Sequence, residues 1–167
     1  MAMDLYDLIN QSDGGETFSP VDSGGQQAPP VKRSSPLSPQ AKAAIRMIDA
    51  PDCSEDTLSR YSSHKEASVR EAVATHPMCP GHVLRELADD YSDTVRAAAA
   101  ANPSCANYLM RRMAMDDSPE VRMALARNPS CTMEALRKLH EDEDARVRDA
   151  VIRNPNSPVE WWTGLSS

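Results

Sequence analysis

The chain has 167 residues, enough for one modest domain, and only 4% of them are aromatic, which excludes a core built around large rings and favours tightly spaced, alanine-rich helices. The net charge is −7, with acids in excess both in residues 1–40 (five against two bases) and in 41–167 (20 against 16), so no general basic surface for phosphate binding exists. No apolar run approaches the ~18–20 residues of a bilayer span, and Met1 to Asn10 lack a secretory signal, so the expectation is a cytoplasmic protein with reduced cysteines and no membrane role.

In chain order, residues 3–9 (Met-Asp-Leu-Tyr-Asp-Leu-Ile) form a short acidic island with Leu5, Leu8 and Ile9 on one face of a helical turn. It reads either as an ordinary frayed terminus or as a linear motif that docks on a partner, on another copy or on the rest of the chain. Residues 10 to about 39 are rich in Ser, Gly, Pro and Gln and cannot bury enough apolar surface to offset their ordering entropy. The expected organisation is therefore a flexible arm over residues 1–38 and a folded domain over 39–167.

That domain repeats. Cys53, Cys79, Cys105 and Cys131 stand 26 residues apart, and Val69, Val95, Val121 and Val147 keep the same ruler. Each valine is followed by an arginine (Arg70, Arg96, Arg122, Arg148), and Pro77, Pro103, Pro129 and Pro155 close the units. A fixed period of this size is the mark of a solenoid, whose units bury their apolar faces only against their neighbours. The first unit is degenerate, with Ala43 to Ile48 in register and Ser38-Pro39 as a helix start, and the last opens at Ser157 in place of cysteine. Each full unit predicts a first helix, such as 133–139 with Met133, Leu136 and Leu139 inward. An acidic turn and a shorter second helix such as 121–127 follow, the latter with Val121, Ala124 and Leu125 inward and ended by Asn-Pro.

The recurring V-R-x-A with Asn-Pro and a following L-x-x-L, over about residues 43–165, resembles the leucine-rich repeat variant family and, more distantly, HEAT-type repeats. The resemblance implies an all-α, right-handed solenoid of alternating α and 3₁₀-like helices, here about four and a half repeats, serving as a binding scaffold. Some members carry an iron–sulphur cluster on a separate cysteine-rich segment, which has no counterpart before Cys53. The period of 26 is longer than the family's usual one, and cysteine stands where its first helix is usually capped by Thr or Ser.

No metal or cofactor site is expected. The cysteines fall one per unit, with no C-x-x-C pair, and units about 8–10 Å apart are too far for a disulfide or a shared zinc. They read as small, partly buried hydrophobes, with a reactive thiol at a helix N-terminus as the rival. The arginine column beside Asp90, Asp116 and Asp142 reads as a stacking ladder. His64, His76, His82 and His140 make no catalytic arrangement. No phosphate loop, His-Glu-x-x-His or nucleophile elbow occurs, so the chain is read as not an enzyme.

Function is expected where the repeat is violated. On the second helices the variable columns are Glu71, Ala97, Met123, Asp149 and Thr75, Ala101, Arg127, Arg153, which read as a groove for a protein or peptide. Trp161, in the terminal half-repeat beside the core-capping Trp162, is a further candidate contact. Self-association through the arm or the C-terminal cap is a second mode. The rival readings are a nucleic-acid-binding module, which needs a continuous basic strip, and a redox or iron–sulphur-associated protein.

Overall fold

The computed structural model describes residues 36–158, 160 and 161. The motif at 3–9, nearly all of the expected arm, and Trp162 lie outside these residues. Among them there are nine helices and no strand. In chain order they are α1 (Pro39–Ile48), α2 (Glu55–Tyr61), α3 (Ala67–Thr75), α4 (Gly81–Leu87), α5 (Asp93–Ala101), α6 (Asn107–Met113), α7 (Pro119–Arg127), α8 (Met133–His140) and α9 (Ala145–Ile152).

The odd-numbered helices stack on one another in a single column, α1 on α3, α3 on α5, α5 on α7 and α7 on α9, and the even-numbered helices lie against their flanks. The column is close because its contact residues are small. Ala74, Ala100 and Ala126 are fully buried, beside Val69, Val95, Val121 and Val147. On the even helices Leu58, Leu84, Met110 and Leu136 close the core, each contributing about 1.5–3 kcal/mol by its burial.

Three sequence expectations need correction. The second helix is the longer one in three units, where α3, α5 and α7 have nine residues and α2, α4 and α6 seven, and in the last full unit α8 and α9 have eight each. It begins two residues before the in-register valine, because Asp90, Asp116 and Asp142 accept hydrogen bonds from the N–H groups of Ser92, Ser118 and Asp144 at 2.8–2.9 Å and turn the chain into the helix early. Both helix types are α among the described residues, so the 3₁₀-like alternation is not observed. The buried stripe is also displaced: Met133 is 40% exposed and Ala135 is buried instead, while Ala126 rather than Ala124 completes the stripe of α7.

The cysteines are not the caps of the first helices. The N-cap is the next residue: Ser54 accepts from Thr57 N–H at 3.2 Å and Thr132 from Ala135 N–H at 3.3 Å, whereas Pro80 and Ala106 supply no side-chain bond. Each cysteine instead faces inward one residue earlier; Cys79, Cys105 and Cys131 are buried and Cys53 half-buried.

Two polar ladders run through the stack. In the first, Arg70, Arg96 and Arg122 each grip the aspartate of the following unit through Nε and Nη2, at 2.6–2.8 Å to Asp90, 2.8–2.9 Å to Asp116 and 2.7–3.0 Å to Asp142. Their Nη1 donates backward to the carbonyl of the preceding turn: His64 for Arg70, Asp90 for Arg96 and Asp116 for Arg122. Arg148 keeps the backward bond, to Asp142 O at 2.6 Å, but pairs with no carboxylate among the described residues. In the second ladder, the Nδ2 groups of Asn102, Asn128 and Asn154 each donate to two carbonyls of the unit before, such as Ala100 O at 2.8 Å and Asn102 O at 2.9 Å for Asn128. Their Oδ1 atoms accept the N–H of Ser104, Ser130 and Asn156. Helix ends that stop at Asn-Pro would otherwise leave carbonyls unpaired in the interior.

Candidate functional site

The stack leaves one face of the odd helices uncovered, and the period places three residue columns on it. The nearest to the helix C-termini runs Asp49, Thr75, Ala101, Arg127, Arg153, all exposed. The second runs Ile45, Glu71, Ala97, Met123, Asp149, in which Ile45, Ala97 and Met123 are half-buried against the core. The third includes Ser68 and Arg146.

Two cavities open on this face, one at each end. The first, of about 510 Å³, lies between α1 and α3 and is lined by Ile45, Asp49, Ser68, Glu71, Thr75 and His76, among others. Its charged side chains are both acids. Burial raises the Glu71 carboxyl above its ordinary range, and no cation pairs with it among the described residues. The second cavity, of about 270 Å³, lies between α7 and α9 and is lined by Arg127, Arg146, Asp149, Arg153 and Asn154, among others. Arg146 is engaged with Asp144 at 2.7 Å, while Arg127 and Arg153 enter no ion pair among the described residues. Between the cavities, Ala97 and Ala101 leave α5 low.

Eight of the nine candidate residues therefore share one face: Glu71 and Thr75 at the acidic end, Ala97, Ala101 and Met123 in the middle, and Arg127, Asp149 and Arg153 at the basic end. Trp161 is not with them. It is half-buried against the core and stacks on the His140 ring at 4.4 Å with planes 14° apart, over a buried His140 Nδ1 that finds no hydrogen-bond partner among the described residues. Sequence reasoning missed Asp49, Ile45 and Arg146. The first two sit 26 residues before Thr75 and Glu71, so extending the register into the degenerate first unit finds them.

The thiols offer little chemistry. Burial pushes Cys79 and Cys131 up to about 12 and Cys105 to about 11, so these remain protonated at neutral pH. Burial first, then Asp52 and Asp49, also raise Cys53. Among the described residues no three His, Cys, Asp or Glu side chains converge as metal ligands, and no helix is long and apolar enough to cross a membrane.

Residues 67–91 fit the family model described as Leucine rich repeat variant. They cover α3, α4 and the turn that carries Asp90, close to one full period. No curated protein and no solved structure matches the chain.

Proposed function

We propose that this chain, whose unit at 67–91 is a leucine rich repeat variant repeat, is a non-enzymatic scaffold that binds a protein or peptide along the exposed face of α3, α5, α7 and α9. The observation that carries this reading is the contrast between the two kinds of column. The arginine, aspartate and asparagine positions repeat and are consumed in holding the units together, whereas the face positions vary in charge and size along the stack, and Thr75, Ala101, Arg127 and Arg153 stay exposed rather than packed into it. Within this face the Glu71 carboxyl is raised by burial, and no cation pairs with it among the described residues.

The nucleic-acid reading fares less well on the same face. Its cations without an ion pair among the described residues are Arg127 and Arg153, set against Asp49, Glu71 and Asp149, which is no continuous basic strip. The redox reading is disfavoured by cysteines that are mostly buried and dispersed one per unit.

The test is affinity capture from native extract with the full chain and with a Glu71→Arg, Arg127→Glu, Arg153→Glu variant. An Arg85→Glu, Arg137→Glu variant on the even helices serves as the control for nonspecific charge effects. A protein lost by the first variant and kept by the second supports the face as the binding surface. Equal retention by both, or recovery of nucleic acid alone, contradicts it.

A further inference from the structure

The two cavities are of opposite sign and sit at opposite ends of one helix column. Asp49 and Glu71 carry the charge of the cavity between α1 and α3. Arg127 and Arg153, with Asp149 at their side, dominate the cavity between α7 and α9. The middle of the face, Ala97 and Ala101, is uncharged and low, so a backbone can lie across it without meeting a long side chain.

The distance between the cavities follows from helix packing. Three helix-to-helix steps separate them, about 24–30 Å at roughly 8–10 Å per step. An extended chain covers about 3.3–3.6 Å per residue, so about eight residues span the gap.

We infer that the partner is an extended peptide read by charge register: a basic residue seats in the Asp49–Glu71 cavity and an acidic residue, about eight positions away, seats between Arg127 and Arg153. This rests on the scaffold reading above and narrows it. Opposite charges at a fixed spacing select a partner by pattern, since a like charge at either end meets repulsion. A peptide acidic throughout suits only one half of the face. So does one basic throughout.

Fluorescence anisotropy on the full chain with three synthetic peptides tests this. In a Ser/Ala/Gln background, the first carries Lys and Asp eight residues apart, the second carries them three apart, and the third carries Asp at both distant positions. The expected result is that the first binds about tenfold or more tighter than either other, two charge contacts against one. Glu71→Arg should then shift the preference toward the third peptide, and Arg153→Glu should weaken the first, with circular dichroism confirming that both variants fold. Equal binding of the three peptides, or a ranking that Glu71→Arg leaves unchanged, overturns the charge register. If none binds while affinity capture still depends on the groove variant, the register is wrong and the scaffold reading stands. If neither assay responds to the groove substitutions, both fall.

Discussion

Arg122 illustrates how single residues hold this chain together. Its side chain is 9% exposed and its guanidinium binds Asp142 of the next unit and the Asp116 carbonyl behind it, so removing it strands a buried carboxylate. Arg122→Met should lower unfolding free energy by about 3 kcal/mol or more, the usual cost of breaking a buried pair from one side. Arg148→Met should cost about 1 kcal/mol, because among the described residues it has no carboxylate partner and keeps only its backbone bonds; urea unfolding of the two variants makes the comparison. The aspartates give a pH signature. Burial pushes Asp90, Asp116 and Asp142 up, but the paired arginines and the N–H groups that they accept outweigh it and hold each below its ordinary value of 3.8. A carboxyl lowered in the folded state stabilises the fold above its unfolded value and loses that contribution as pH falls through the folded one. Thermal midpoints followed by circular dichroism should therefore be level from pH 5 to 8 and drop below about pH 4. The thiols make a third residue-scale prediction: a short maleimide pulse on the native protein labels Cys53 first, and all four cysteines label only after denaturation.

At the scale of elements, the tight column depends on alanine. Ala74, Ala100 and Ala126 have no exposed surface, so a longer side chain there must displace its neighbours in the column. Ala100→Leu should cost about 1–3 kcal/mol by overpacking, measured by the same unfolding assay, whereas Ala101→Leu, one residue on and exposed, should cost almost nothing. The period made the helix pairing, the core valines and the arginine ladder legible, because burial and pairing recur with the unit. Other features were hidden for physical reasons. The second helix starts two residues early because an aspartate side chain in the turn bonds the backbone, an effect that hydrophobic periodicity does not register. Asn before Pro reads as a stop signal, but its second role, feeding two N–H bonds into the unit before, depends on stacking geometry. A ladder from each arginine to an acid in the same or next unit was expected; the structure selects the next unit for the carboxylate and adds a bond from each aspartate's carbonyl to the arginine six residues on.

Across the whole repeat domain, the ladders show where the regular stack starts. His64 stands at the aspartate position and accepts the Glu66 N–H as the aspartates accept theirs, while Ala44 stands where its arginine would be. The two positions that would pair across the first interface are lost together, and the acidic cavity lies at that same interface, with Asp49 from the first unit and Glu71 from the second. Stability in such an array comes from neighbour interfaces, and the exposed face of the odd helices lies outside those interfaces. This leaves the face open to change without unfolding the stack, which is what a binding surface needs. The account therefore predicts that binding and stability separate there. Ala101→Trp places a large side chain in the low middle of the face at an exposed position; affinity capture and a thermal melt of that one variant test the central claim most directly. Loss of the captured partner with an unchanged melting temperature is the predicted result. Full capture by a folded Ala101→Trp protein would contradict the account and place the binding surface elsewhere.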